Sequence, residues 1–163
     1  MDAAAEFWRF SLAVYDRPGV AAALIGLQDR HGLDVNLLLY CCWAGAGNCL
    51  LSMEHLAAVE AAAEPLQVNL VRPLRQIRRW LKSAPELDDL RRRIGDLEID
   101  GEQLAQRAMA ALAPPRRAAT EVEARQAAAN LATYVARRGM ATGAAETDAL
   151  AILLSACFPG AGA

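Results

Sequence analysis

The hydrophobic pattern of the chain is dominated by one stretch without charge, residues 35–53, with the sequence VNLLLYCCWAGAGNCLLSM. Between Val35 and Ala44, apolar residues occupy every side of a helical wheel, which is typical of a helix that is buried all round. Asp34 stands before this run as a helix N-cap, where a carboxylate accepts hydrogen bonds from free backbone amides. We therefore expect a short central helix inside the protein, ended by the turn Gly45–Asn48.

The remainder of the chain shows apolar residues at spacings of three and four, the period of amphipathic helices. Strand-forming residues are sparse and do not alternate with polar ones, so strands are not expected. The predicted helices cover about residues 3–15, 20–31, 35–44, 52–63, 65–82, 85–112, 118–138 and 145–158. This pattern predicts an all-α, single-domain, multi-helix orthogonal bundle built around the central helix.

Within this single domain, residues 1–158, we expect a compact apolar half at 1–63, longer helices at 64–138 and a closing helix at 145–158. Residues 159–163 are expected to form a loose tail.

Two of the later helices have apolar faces that we expect to point inward. The first face consists of Leu66, Leu70, Leu74, Ile77 and Leu81. The second face consists of Leu87, Leu90, Ile94, Leu97 and Leu104. Pro73 predicts a kink or boundary in the first helix, and Gly101 predicts a break in the second. Ser83 and Glu86 have the spacing of a capping box before the second helix.

Composition supports a folded helical protein: of 163 residues, 55% are hydrophobic and 22% are charged. The net charge of −2 conceals an uneven distribution, since residues 1–71 carry −5 and residues 72–93 carry +5. The basic excess therefore lies in the middle of the chain.

Five cations occupy one side of the predicted 65–82 helix, namely Arg72, Arg75, Arg78, Arg79 and Lys82. No acidic residue occurs between Glu64 and Glu86, so these cations lack partners within their own helix. Three interpretations stay open: pairing with the acidic half of the same protein, a binding surface, or a solvated face. As a binding surface, this basic arc would contact an acidic protein or a nucleic acid. The negative net charge and the lack of interleaved aromatic residues argue against nucleic acid.

A second polar cluster, Asp29, His31, Asp34 and Asn36, lies beside the central helix. Asp34 is explained by capping, and His31 lies at a helix C-terminus, where a cation is favoured. Asn36 falls in the first turn of an apolar helix and needs hydrogen-bond partners if it is buried. The cluster is either a structural network or a small-ligand pocket. A closed core with the Asn36 amide bound by backbone would exclude a pocket, whereas an open cleft with convergent polar groups would favour one.

No metal, cofactor or catalytic constellation is recognised. The four cysteines, Cys41, Cys42, Cys49 and Cys157, lack paired metal-ligand spacing, and adjacent helical residues diverge by about 100°. P-loop, GxGxxG and HExxH motifs are absent from the sequence. The N-terminal residues do not resemble a signal peptide, and the apolar runs are short or interrupted. We therefore expect a cytoplasmic protein with free thiols, outside the membrane.

Three segments together resemble a known family: FWRFSLAVYDRPGV, LQDRHGLDVNLLLYCCWAG and VRPLRQIRRWLK. Over about residues 6–110 the chain is similar to small, mostly proteobacterial proteins known as a domain of unknown function. The resemblance implies a cytoplasmic helical protein and carries no activity, so it identifies no catalytic residue.

The function expected from these features is that of a non-enzymatic interaction or regulatory protein that uses the basic arc. The alternative is a small-ligand-binding protein or enzyme with a polar pocket near residues 29–36. A homodimer formed through alanine-rich helix faces is a third hypothesis.

Overall fold

A computed structural model describes residues 2–115 and 123–160, which form helices and no strand within those ranges. The α-helices are α1 (Ala3–Tyr15), α2 (Val20–His31), α3 (Val35–Ala46), α4 (Met53–Leu66), α5 (Arg72–Trp80), α6 (Asp88–Ala110), α7 (Glu123–Arg137) and α8 (Ala144–Cys157). The predicted all-α bundle around a buried central helix is confirmed. The start of the predicted helix at 118 and residues 161–163 of the predicted tail lie outside the described ranges.

Helix α3 is the centre of the core, and every residue from Asn36 to Gly45 is buried. The Phe7 ring of α1 stacks on Trp43, with ring centroids 5.0 Å apart, and meets Tyr40 edge-on at 5.6 Å. Burial of each large side chain in such a core contributes about 1.5–3 kcal/mol. The predicted cap is confirmed, because Asp34 Oδ1 accepts from the Asn36 amide at 2.7 Å.

Helix α7 covers α3 at very close range. A Cβ added to Gly45 would lie 2.5 Å from the Ala127 backbone, so only glycine permits this approach. The buried Asn130 of α7 also binds the turn after α3. Its amide donates to the carbonyls of Cys41 and Cys49, and its oxygen accepts from the Leu51 amide at 2.8 Å. This side chain supplies hydrogen bonds that an irregular, buried backbone segment would otherwise lack.

The two helices predicted at 52–63 and 65–82 are joined without a loop. Pro65 lies inside α4, and a π-helical turn at Gln67–Val71 leads directly into α5. Pro73 lies in the first turn of α5, where its missing amide hydrogen is tolerated. The interruption expected at Pro73 is therefore this π-helical turn, which precedes the proline.

The expectation that the apolar faces of these two helices point inward is wrong for one residue of α5 and three of α6. Ile77 is 44% exposed, and Leu90, Leu97 and Leu104 are 42%, 51% and 47% exposed. Helix α5 packs chiefly against α6 and directs Arg75 and Arg78 toward buried acids of α6. Of the predicted apolar face of the 65–82 segment, Ile77 alone is exposed, whereas Leu81 is buried; Arg75 and Arg78 occupy the side toward Glu98.

Two local predictions about α6 are also wrong. The helix is continuous through Gly101, and this glycine lies where the π-helical turn approaches α6: a Cβ there would be 3.1 Å from Val71. The Ser83–Glu86 capping box is not formed. Ser83 Oγ donates instead to the Trp80 carbonyl, which closes the end of α5.

No single helix within the described ranges is both long and apolar enough to cross a membrane. Helices α1 and α2 meet such a test only when taken together, and they are bent by 101° where they join.

Alanine substitution at two helical glycines is expected to change stability in opposite directions. Gly45→Ala forces the new methyl group into the Ala127 backbone and should lower the free energy of unfolding by about 3 kcal/mol. Gly95→Ala places its Cβ at an ordinary 3.4 Å from Arg78 Cδ and should raise that free energy by about 0.5–1 kcal/mol, because alanine favours helices. Thermal and urea unfolding followed by circular dichroism would measure both. Equal effects of the two changes would contradict the close α3–α7 approach.

Candidate functional site

A cleft of about 460 Å³ opens between α1, α3 and α6. This volume lies within the range of ordinary small-molecule sites. One wall is apolar and is formed by Trp8, Leu12, Tyr15, Val35, Leu39 and Ile99. The remaining lining residues are mostly polar and come from α1, α3, α5 and α6. We refer to this site as the α1–α3–α6 cleft.

A chain of hydrogen bonds between buried side chains forms the floor of the α1–α3–α6 cleft. Ser11 Oγ donates to Gln106 Oε1 at 3.0 Å, and Gln106 Nε2 donates to Asn36 Oδ1 at 2.7 Å. The side-chain amide of Asn36 in turn donates to Glu102 Oε2. Asn36 is thus bound by side chains and not by backbone, in a cleft that is open.

Two arginines of α5 continue this chain. Arg75 donates to Glu102 and, at 2.9 Å, to Glu98; its remaining NH1 group donates to Gln28 of α2 at 3.1 Å. Arg78 donates to both oxygens of Glu98, at 2.5 and 3.2 Å. The two carboxylates are therefore held by the two guanidinium groups, and one polar network joins five helices, α1, α2, α3, α5 and α6.

The two carboxyl groups differ in their electrostatics. Burial raises the pKa of Glu98, but hydrogen bonds from Arg78 and Arg75 outweigh this effect and hold the pKa below its ordinary value. Burial dominates at Glu102 and raises its pKa, against the opposing effects of Asn36 and Arg75. Burial also raises the pKa of Tyr15 at the cleft wall. The cost of desolvation is therefore less fully compensated at Glu102 than at Glu98.

The charge of the cleft lining is acidic. Among its described lining residues, the ionised side chains are Asp96, Glu98 and Glu102 against Arg78. Arg75 donates to both glutamates but is not itself a lining residue. An apolar lining together with an acidic, hydrogen-bonding floor suits a molecule with an apolar body and a hydrogen-bond-donating or cationic head.

The basic arc predicted from the sequence is largely paired inside the protein. Arg75 and Arg78 belong to the cleft network, Arg72 pairs with Glu64 at 3.4 Å, and Arg79 pairs with Asp29 at 3.3 Å. The last two pairs are exposed to solvent. Lys82 makes no ion pair with the described residues. Contact of this arc with a partner molecule stays a prediction.

The second predicted cluster is not brought together at one site. Asn36 lies in the α1–α3–α6 cleft, whereas Asp34 lines a different cleft that also contains Tyr134. His31 Nε2 lies 2.9 Å from Glu146 Oε1 at the start of α8, and Asp29 pairs with Arg79. Of the predicted pocket residues, Asn36 alone lines the α1–α3–α6 cleft.

The acidic floor was not among the features predicted from the sequence. Glu98, Glu102 and Gln106 recur every four residues, a spacing that places them on one face of a helix. That polar stripe is the signal available in the sequence, and the leucines of α6 obscure it because leucines usually define the buried face of a helix. Ser11 gave no comparable signal, since an isolated serine is common on any helix.

The cysteines lie apart from the cleft, and three of them, Cys41, Cys42 and Cys49, are buried. Burial raises the pKa of the Cys41 thiol, and a hydrogen bond with Cys157 together with burial raises that of Cys42. Raised thiol pKa values disfavour the thiolate form that nucleophiles and metal ligands need. Within the described residues, no group of three or more His, Cys, Asp or Glu side chains is placed to hold a metal ion.

Asp34 and Glu98 are expected to give stability opposite dependences on pH. Burial and the nearby Glu102 raise the pKa of Asp34 to about 6, against hydrogen bonds from the Asn36 and Leu37 amides. Ionised Asp34 therefore costs stability above that pH, and the cost disappears as pH falls toward its ordinary pKa. The pKa of Glu98 is lowered, so its contribution is present at neutral pH and is lost under acid conditions.

Asp34→Asn keeps a capping acceptor and should raise the melting temperature, relative to the parent protein, more at neutral pH than near pH 4. Glu98→Gln should lower the melting temperature more at neutral pH than near pH 3, well below the ordinary carboxyl pKa. Thermal unfolding across this pH range measures both differences. Parallel pH dependences of the two variants would contradict the assignment.

Comparison with known protein families gives a match over most of the chain. A family model described as a protein of unknown function (DUF2390) matches residues 6–109, a range that contains every lining residue of the α1–α3–α6 cleft. Searches of curated proteins and of solved structures find no significant match. The resemblance seen in the sequence is therefore confirmed: the chain belongs to the DUF2390 family of proteins of unknown function.

Proposed function

We propose that this protein binds a small molecule in the α1–α3–α6 cleft. The observation that supports this proposal is the polar chain from Ser11 to Arg78, which lines the floor of an open cleft whose other lining residues are mostly apolar. Apolar packing is usually as stable as a buried ion pair, so stability alone gives little reason to keep such a network. A network needed only for structure would also be expected inside a closed core. Here it faces a space large enough for a ligand.

The proposed ligand has an apolar or aromatic body. The cleft has an apolar rim formed by Trp8 and the exposed edges of Leu12, Tyr15 and Ile99. Contact of this rim with solvent costs free energy, which a bound apolar group would recover. An aromatic ring inserted there would pack against Trp8 and Tyr15, and aromatic pairs contribute about 0.5–1.5 kcal/mol beyond burial alone.

The proposed head group is an amine or another hydrogen-bond donor. Both oxygens of Glu98 already accept from arginine, whereas Glu102 accepts from one arginine and one neutral amide. Glu102 is therefore the carboxylate with the greater remaining capacity to bind a cation. A cationic head beside it would offset the desolvation that raises its pKa.

A second candidate function retains the basic arc as a surface for an acidic protein. The observation that favours it is Trp80, which is 67% exposed and lies between Arg79 and Lys82 at the end of α5. Tryptophan and arginine are the residues most enriched among those that dominate binding energy at interfaces. Because Arg75 and Arg78 belong to the cleft network, the proposed contact is limited to Arg72, Arg79, Trp80 and Lys82. The expected cytoplasmic location stays a prediction.

The ligand proposal predicts selectivity among small aromatic probes. 2-Phenylethylamine should bind with a dissociation constant of about 1 mM, whereas 3-phenylpropionate and 3-phenylpropanol should bind more weakly. Glu102→Gln should weaken amine binding about tenfold, because it removes the charge that faces the head group. Isothermal titration calorimetry and ligand-observed NMR would measure these affinities.

The matched control is Asp148→Asn, an equal charge change on the exposed surface of α8, which should leave amine binding unaltered. Equal binding of the three probes, or an amine affinity unchanged by Glu102→Gln, would contradict the proposal.

The second candidate predicts binding of a labelled hexaglutamate peptide, with an affinity that falls as salt is added. Arg79→Glu/Lys82→Glu should abolish this binding, and Trp80→Ala should weaken it. Arg17→Glu/Arg125→Glu makes the same charge change at exposed positions elsewhere and should have little effect. Fluorescence anisotropy would follow the titrations, with duplex DNA as a comparison. Equal losses in both double variants would reject a localised site.

A further inference from the structure

We propose that α5 and α6 form the interface of a symmetric homodimer, in which a second copy of this chain covers their outward apolar residues. The surface consists of Ile77, Leu90, Leu97 and Leu104, and we call it the outer leucine face. The inference goes beyond the proposed ligand site, which lies on the opposite side of α6.

The orientation of α5 and α6 creates this face. On α5, Arg75 and Arg78 point toward Glu98 on the inner side, and Ile77 lies about 160° around the helix from Arg75. On α6, Glu98 and Glu102 point inward, and Leu97 lies about 100° and 140° from them. The exposed residues of the two adjacent helices therefore share the outer side.

The three leucines of the face recur every seven residues along α6. At 1.5 Å per residue, Leu90 and Leu104 are about 21 Å apart, with Leu97 midway. A repeat of seven with leucine is the pattern by which helices pack against one another in bundles and coiled coils. Half-exposed leucines in such a row, together with the exposed Ile77 of the neighbouring helix, present more apolar surface than isolated exposed residues do.

Charge complementarity identifies the occupant as a second copy in antiparallel orientation. Arg93 and Asp100 lie on the same flank of the leucine row, and neither makes an ion pair with any described residue. A two-fold axis through Leu97 aligns Leu90 with Leu104 of the second copy. The same axis brings Arg93 within about 1.5 Å, along the helix axis, of the level of Asp100 of the second copy. Symmetry produces two such pairs, one on each side of the axis.

This self-complementarity is specific to one register. A shift by one helical turn would move Arg93 away from Asp100 of the second copy and would separate the leucines by about 5 Å. An unrelated partner would have no reason to match a row that is symmetric about its own centre. The combination of a symmetric apolar row and opposite charges at matched distances thus favours self-association over another occupant.

The oligomeric state of the full chain tests the proposal. Light scattering coupled to size exclusion, together with sedimentation equilibrium, should give twice the 17.5 kDa mass of the chain. Leu97→Glu places two carboxylates together at the axis and should raise the dimer dissociation constant at least about tenfold. Circular dichroism should show an unchanged fold, because Leu97 is half exposed. A parent protein that is monomeric at high concentration would overturn the proposal, as would a dimer unaffected by Leu97→Glu.

A charge exchange tests the register independently of any effect on folding. Arg93→Glu and Asp100→Arg should each weaken the dimer, because each places like charges opposite one another. The double variant Arg93→Glu/Asp100→Arg restores opposite charges and should recover dimerisation toward the parent value. Recovery supports the antiparallel pairing, and additive loss in the double variant overturns it.

Oxidative cross-linking locates the axis. In a Leu97→Cys variant the two introduced thiols would meet across the two-fold axis and form an intermolecular disulfide. Asp148→Cys on α8 is the control position. Rapid cross-linking at position 97 alone supports the interface, whereas equal rates at both positions or none at position 97 would overturn it.

Discussion

Burial of α3 on every side is the constraint on which the rest of the structure depends. A helix without a polar face cannot lie at the surface, so other helices must surround it. The Phe7 ring of α1 and the backbone of α7 at Ala127 meet it directly, the latter because Gly45 has no side chain. Polar groups near its two ends then need buried partners, which are supplied by Gln106 of α6 at one end and Asn130 of α7 at the other.

The hydrogen-bond partners that Asn36 requires determine how α5 and α6 are oriented. Asn36 binds Glu102 and Gln106, which brings carboxylates of α6 into the protein. A buried carboxylate without a counter-charge costs several kcal/mol, whereas leaving one isoleucine half exposed forfeits about 1–2 kcal/mol. The larger penalty decides the orientation of α5: its arginines turn inward, and Ile77 turns outward.

Helix α6 consequently has two different faces. Its inner face carries the acidic floor of the α1–α3–α6 cleft, and its outer face carries a regular leucine row. The region matched by the DUF2390 model, residues 6–109, contains both faces and most of α1 to α5, whereas α7 and α8 lie outside it. The proposed ligand site and the proposed dimer interface therefore lie on opposite sides of one helix, within the segment that defines the family.

The sequence alone determined the all-α class, the buried α3 helix, its Asp34 cap and the family, because these depend on local periodicity and on residues close together in the chain. It also indicated that Asn36 needed a partner. Only the tertiary structure decided which partner Asn36 found, since Glu102 and Gln106 are more than 60 residues away. It likewise decided the orientation of α5 and α6. An amphipathic helix has one apolar and one charged face, and its sequence does not state which one the rest of the protein will bury. That choice depends on the charges that neighbouring helices present, here Glu98 and Glu102.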